Sequence, residues 1–389
     1  MVGRGRNFLF CMNFLHRLRT YNPKTRFSSS ASEEGWKLIQ FTEIKPFVER
    51  CMATVGTKKE HASQLADALI KADYRGHYSH GINRLHMYVK DIKSGITVHD
   101  MEPVTVKESA ATALVDGQNV LGPVVGNYCM KIAIQKAKET GVGWVVARGS
   151  NHYGIAGFYS LQALEEGMMG MSFTNTSPLQ VPTRAKKPTL GTNPITLAAP
   201  GKNGDSFLLD MATSTAAVGK VEICQRKGTN MPKGWGVDQA GKETTNPDEV
   251  LEGGGLMPLG GSEECGGYKG YGLAMLVEIF CGILSGAEWG PNIRKWMKTD
   301  RVANLGQCFI AINPENFASG FTDRMQELMD TCRNLEPAEG ESEVLVAGDP
   351  ERKHMSQCDR EGGIRYHPNQ IAYLEDLAKE LGVAPMVSA

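Results

Sequence analysis

The sequence predicts an α/β layered fold preceded by a helical segment. Two observations carry that class. Between residues 111 and 210, apolar strand patterns at 111–116, 144–148, 169–174, 195–199 and 207–210 alternate with helical patterns at 130–140 and 158–166. Such βαβ alternation argues for a sheet covered by helices. Ahead of it, Val48, Met52 and Val55, then Ala62, Leu65, Ala66 and Leu69, recur at helical spacing around the polar turn Gly56-Thr57-Lys58. That pattern places helix over 34–72.

The remaining elements follow in order. Ala72 to Tyr88 holds three of the nine histidines with Asp73, Arg75 and Arg84. Gly76 ends the first helix, Ser79 is a good N-cap for a second one through Leu85, Tyr88 and Ile92, and Gly95 closes it. Residues 226–267 are punctuated by glycine and proline, which reads as a long functional loop. The apolar run from Tyr271 to Ala287 is interrupted by Glu278. It falls short of the ~20 apolar residues a membrane span needs and reads as a buried helix. A strand at 308–312, a helix at 322–334, a strand at 343–347 and a helix at 368–381 before Gly382 complete the chain. The division expected is a helical domain at 33–104 joined by 345–389, and an α/β domain at 105–344.

Composition narrows the function. A 389-residue chain with 41% hydrophobic and 22% charged residues and a net charge of -1 presents no field for nucleic acid or a membrane surface. The nine cysteines are scattered without a CxxC, which argues against a zinc ribbon or a disulfide framework. Residues 1–32 carry Arg4, Arg6, Arg17, Arg19, Lys24 and Arg26, no acid, and a serine cluster. That is the composition of a mitochondrial transit peptide; a plain N-terminal extension on a cytoplasmic protein is the alternative.

The chemistry is concentrated in five stretches. A helix beginning at Ser79 would set His80 and Arg84 on one face. A guanidinium grips a carboxylate in a bidentate fork while a neighbouring imidazole exchanges a proton; the bland alternative is a capping histidine beside a surface arginine. Gly149-Ser150-Asn151-His152-Tyr153-Gly154 follows a buried strand, where α/β proteins place sites. Thr174-Asn175-Thr176-Ser177-Pro178 and Gly191-Thr192-Asn193-Pro194 can line a phosphate or ribose, or be ordinary turns. Asp210-Met211-Ala212-Thr213-Ser214 puts a carboxylate at a strand end, where it can orient a histidine or simply cap a helix. Gly266-Gly267-Tyr268-Lys269-Gly270 opens the apolar helix with a cation and free amides, the makings of an anion site. No GxGxxG, GxxxxGK[ST] or GxSxG is present, and His77/His80 have the wrong spacing for a zinc pair on one helix.

Taken in this order, ADYRGHYSHGINRLHMY, GSNHYG, GTNP, DMATS and GGYKGYGLAM resemble the malate/L-lactate dehydrogenase-like family of NAD(P)-dependent 2-hydroxyacid dehydrogenases. That family also includes sulfolactate, ureidoglycolate and diketogulonate enzymes and a cyclic-imine reductase. The resemblance runs from about Ile44 to the closing helix. It implies a non-Rossmann dinucleotide-binding α/β domain, a homodimer, and NAD or NADP as cofactor. It implies His80 as proton donor to the 2-oxo group and Arg84 as the carboxylate ligand; the strand-end carboxylate of Asp210 is read as poising His80. It places His152 in the active site, where one family member uses the matching histidine as base, and Ser79 and Tyr88 near the substrate. Thr176, Asp210, Met211, Ala212 and Lys269 match cofactor-contacting stretches, and Gly348 falls in a late cofactor loop. The expected reaction is hydride transfer between NAD(P)H and a small 2-oxo acid, malate/oxaloacetate first and lactate next. A cyclic-imine or other keto-acid reductase, or an inactive binding protein on the same scaffold, are the alternatives.

Overall fold

The structure, a computed structural model, describes residues 35–387; the leader expected over 1–32 lies outside them. In chain order the elements are β1 (Lys37–Gln40), α1 (Phe41–Ala53), α2 (Lys59–Tyr74), two short 3-10 turns (Tyr78–His80 and Ile82–Arg84), α3 (Leu85–Lys93), β2 (Val104–Glu108), β3 (Thr112–Asp116), α4 (Gly122–Thr140), β4 (Val142–Ser150), α5 (Gly157–Glu165), β5 (Met169–Thr174), β6 (Ile195–Pro200), β7 (Ser206–Met211), α6 (Val218–Lys227), β8 (Gly236–Val237), β9 (Glu243–Thr244), α7 (Pro247–Leu251), β10 (Gly255–Leu256), α8 (Gly267–Glu278) with a π-helical continuation (Ile279–Ile283), β11 (Leu305–Ile312), α9 (Phe321–Arg333), α10 (Asp349–Glu361), β12 (Gly363–Tyr366) and α11 (Pro368–Leu381).

A seven-stranded sheet in the order β2-β3-β4-β11-β5-β6-β7 organises the described residues. Only β3 and β4 pair in parallel; the other neighbours are antiparallel. Strand alternation divides the apolar side chains between two layers. Val145, Ala147, Phe309 and Ala311 point into the core shared with α4 and α5. Val146, Phe173, Cys308 and Ile310 face Val277 and Cys281 of α8 and its continuation. The apolar run at 271–287 is therefore a covering helix. Its interrupting Glu278 is buried, with its carboxylate held by the amides of Asn175 and Asn193, each at 3.1 Å.

These pairings place the candidate stretches. Because β4 and β5 both run antiparallel to β11, and β5 and β7 both run antiparallel to β6, the strands β3, β4, β5 and β7 point the same way. Their C-terminal ends, and the starts of β6 and β11, leave from a single edge of the sheet. His152, Thr176, Asn193, Asp210 and the segment entering β11 all emerge there.

Several expectations are corrected. Residues 37–40 are a strand, not helix: β1 pairs with β12, joining the first and last strands of the described residues. Residues 226–267 are not a long loop. They hold α7 and the small sheet β10-β8-β9, packed with α6 around Val221, Met231, Val250 and Leu256; two-residue strands carry no readable period. Residues 343–347 form no strand; the Ala347 carbonyl accepts from Leu208 N of β7 at 3.0 Å. Gly348, expected in a loop, has φ +101° and caps α10, with Pro350 in its first turn. No helix among the described residues is long and apolar enough to cross a membrane.

Candidate active site

Asp73 shapes the histidine-rich stretch from beneath. Its fully buried carboxylate accepts from Ile82 N at 2.9 Å and from the Tyr366 hydroxyl at 3.0 Å. Burial outweighs both donors and pushes its pKa up to about 8. A Cβ on Gly81 would lie 1.7 Å from Asp73 Oδ1, so only glycine passes over this carboxylate. Gly81 is extended (ψ -149°), which breaks the helix expected from Ser79 into two 3-10 turns. His80 and Arg84 thus come together on consecutive turns rather than on one helical face.

Arg84 Nε donates to the Ser79 carbonyl at 2.6 Å, leaving the two Nη groups as its remaining donors. Its guanidinium lies 5.5 Å from the centre of the Trp296 ring, a cation–π contact. Burial lowers its pKa, with Glu222 of α6 acting in the opposite direction.

His152 comes from the loop after β4. Asn151, its neighbour, is buried and pins that loop, donating to Asn119 O at 3.1 Å and Val120 O at 2.9 Å. Gln307 of β11 donates to the Asn151 carbonyl at 3.0 Å. The His152 ring stacks on His80, with centroids 5.7 Å apart and planes 14° from parallel. Its Nδ1 lies 2.6 Å from the Tyr88 hydroxyl, and the ring also meets Trp296, with centroids 5.6 Å apart. His80 Nδ1 lies 2.9 Å from Ser79 Oγ. Burial, Arg84 and His77 bring His80 down to about 3, and burial, His80 and Arg84 hold His152 well below the usual imidazole range. Both rings are therefore neutral at pH 7, beside a permanently charged guanidinium.

Ser79, His80, Arg84, Tyr88 and His152 are thus brought together. Asp210 stands apart from this group: it accepts from Gly157 N, at the start of α5, at 2.8 Å. Burial raises its pKa against the pull of His77 and Arg75. No hydrogen bond joins it to His80 among the described residues, so the expected poising contact is absent here. His77 lies 3.5 Å from Glu351 of α10 and acts electrostatically on Asp210.

Thr176 forms a second group. Its hydroxyl accepts from Thr192 N at 3.0 Å and its amide donates to Asn193 Oδ1 at 3.1 Å, while Thr213 N donates to Thr192 O at 2.8 Å. Met211 and Ala212 lead directly into that junction. Lys269 is exposed in the first turn of α8 and makes no ion pair among the described residues. Gly348 lies against β7, where an added Cβ would be 3.3 Å from Leu208 N. Neither touches the histidine pair. Trp296 was not anticipated; it sits in an aperiodic, cation-rich segment whose only signal is its type.

The decisive comparison is with families of known sequence. The family model described as Malate/L-lactate dehydrogenase matches residues 39–375. The chain belongs to that family. It is an oxidoreductase of malate dehydrogenase type, acting on hydroxy acids with a nicotinamide cofactor. It is 42% identical to malate dehydrogenase of Pyrococcus abyssi over 362 residues, covering 92% of this chain and 98% of that one. It is 32% identical to ureidoglycolate dehydrogenase (NAD(+)) of Escherichia coli O157:H7, covering 82% and 90%. The solved malate dehydrogenase of Pyrococcus horikoshii OT3 superposes with a TM-score of 0.84 at 37% identity, covering 92% of this chain and 99% of that chain. The mixed α/β architecture agrees with that structure and explains the missing GxGxxG fingerprint. One expectation falls: the curated relatives named above are archaeal and bacterial enzymes, from cells without a mitochondrion, and the expected mitochondrial location is set aside.

Proposed function

We propose that the chain interconverts a small 2-oxo acid and its 2-hydroxy acid, malate/oxaloacetate first and lactate next, using NAD or NADP. The observation that carries this reading is the Arg84 guanidinium, with two Nη groups to spare, set beside a stacked pair of neutral imidazoles. Arg84 holds the carboxylate through a two-pronged charge-assisted grip. His80 exchanges the proton of the 2-oxygen, with Ser79 supporting its ring. Trp296 lies against both Arg84 and His152 and limits water at the reacting carbon. When bound, the nicotinamide cofactor supplies or accepts the hydride at that carbon. The donor set fits such a group: the Thr176 and Thr192 hydroxyls and the turns leading to Met211 and Ala212 share one sheet edge, and Lys269 offers an exposed ammonium for a phosphate. Asp210 and Gly348 belong to the same proposal as cofactor-side residues.

The test is a matrix of 2-oxo acids and a cyclic imine against NADH and NADPH, followed at the reduced-nicotinamide absorbance. We expect oxaloacetate to give the highest kcat/KM with one of the two cofactors. Turnover confined to the cyclic imine, or none at all, would reject this reading.

The proposal extends to architecture. Residues 33–104 with 345–389 form the unit that carries His80 and Arg84, a division supported by the β1–β12 pairing and the Asp73–Tyr366 bond. Residues 105–344 form the cofactor-binding unit. A homodimer is proposed from the outer face of α8 and its continuation, where Met275, Ile279, Ile283 and Leu284 are 40–55% exposed. Such an apolar stripe asks for cover. Light scattering should read twice the chain mass, and Ile279→Glu should return it to the monomer; a wild-type monomer would remove this part.

A further inference from the structure

The two imidazoles of the site differ in what their inner nitrogens face. His152 Nδ1 lies 2.6 Å from the Tyr88 hydroxyl and 3.4 Å from the backbone nitrogen of Gly154, whose N–H points at it. A peptide N–H can only donate. His152 Nδ1 is therefore an acceptor, and the neutral ring carries its hydrogen on Nε2. Protonating Nδ1 as well would set one N–H against another. His80 Nδ1 instead faces the Ser79 hydroxyl at 2.9 Å. A hydroxyl donates to a bare nitrogen and accepts from a protonated one, so His80 can change its charge without losing its bond.

We propose that Tyr88 and the Gly154 amide hold His152 as a neutral Nε2–H donor to the substrate's 2-oxygen, leaving His80 as the one proton carrier. The inference rests on the dehydrogenase reading above and deepens it. It also departs from the resemblance, which offers the matching histidine as a base. Tyr88 then acts as a positioning residue that sets a tautomer rather than as a substrate ligand.

The groups facing His152 agree. His80, Arg84, Tyr88 and Trp296 lie around the ring, and among the described residues no carboxylate acts on it to favour a charged form. Tyr88 is itself buried, and burial raises its pKa well above the usual phenol value, so it stays a donor. In the reductive direction the N–H bond of protonated His80 breaks and an O–H bond forms on the 2-oxygen, leaving His80 neutral. The hydride comes from the reduced cofactor. His152 keeps its hydrogen throughout and stabilises the charge that develops on that oxygen, as a donor of fixed geometry does in an oxyanion hole.

Two measurements test this. Nitrogen NMR of the full chain labelled at histidine should show His152 with protonated Nε2 and bare Nδ1 between pH 6 and 9. In Tyr88→Phe the two signals should move toward a tautomer average. A protonated Nδ1 in wild type overturns the proposal, and unchanged signals in Tyr88→Phe remove the role of Tyr88. In kinetics, His152→Gln keeps an N–H near the position of Nε2 but cannot carry a proton. Its kcat should stay within about tenfold of wild type and at least about tenfold above His152→Ala, since a general acid–base group is worth ~10²–10⁴. Equal, deep losses in both variants would make His152 the proton carrier and overturn the proposal. Failure of the wild type to reduce any 2-oxo acid would instead reject the dehydrogenase reading, while the NMR result would still report the tautomer.

Discussion

His80→Ala should lower turnover by about 10²–10⁴ while leaving reduced-cofactor binding in place, because it removes the group that exchanges a proton with the 2-oxygen. The structure adds a sign to this expectation. Burial, Arg84 and His77 bring the His80 pKa down to about 3 in the free protein. Oxidation of the hydroxy acid needs the neutral ring as base, and that form is already present at pH 7. Its kcat/KM should be flat through the neutral range and fall only as pH drops through the His80 value. Reduction of the oxo acid needs the protonated ring, which is scarce in the free protein. Its kcat/KM should fall by about tenfold per pH unit across the neutral range, since this parameter reports free-enzyme ionisations. A substrate carboxylate on Arg84 offsets one of the charges that disfavour the imidazolium, so proton uptake should accompany binding of the oxo acid. Steady-state rates in both directions between pH 5 and 9 read the flat oxidative profile and the falling reductive one. Near wild-type turnover in His80→Ala, or reductive kcat/KM indifferent to pH, would take His80 out of the mechanism.

What the sequence disclosed follows the range of the forces involved. Strands such as 169–174 and the closing helix 368–381 were legible to the residue, because a buried strand and an amphipathic helix write their periods locally. Residues 226–267 were opaque because β8, β9 and β10 are two residues long and are held by a small tertiary core rather than by pattern. The Ser79 turn shows a subtler failure. Its N-cap chemistry is real, but Asp73, buried beneath it and joined to Tyr366, claims the Ile82 amide and forbids a side chain at 81. Tertiary structure overrode a sound local preference, and the site is built at that override. His80 and Arg84 were legible as chemistry only in company with the other motifs. Trp296 and the tautomer of His152 were not legible, since each depends on a contact between residues far apart in sequence.

Arg84→Lys should raise the KM for the 2-oxo acid by about 10–100-fold, from the loss of one or two charge-assisted hydrogen bonds, with kcat changed far less. The guanidinium does three things at once: Nε donates to the Ser79 carbonyl at 2.6 Å, its face meets Trp296 at 5.5 Å, and its Nη groups remain for the carboxylate. A lysine ammonium is a single compact charge on a flexible stem and cannot do all three. If it turns to the substrate it abandons Ser79, whose hydroxyl contacts His80. The carboxylate is chemically unchanged between oxo acid, transition state and hydroxy acid, so its grip contributes uniform binding and its loss appears in KM. A fall in kcat as large as the rise in KM would mean that Arg84 acts chiefly by holding the Ser79–His80 turn. The double variant Ser79→Ala/Arg84→Lys separates these effects: additive losses place Arg84 on the substrate alone, and losses smaller than additive place the two residues in one unit. An unchanged KM in Arg84→Lys would contradict the carboxylate assignment.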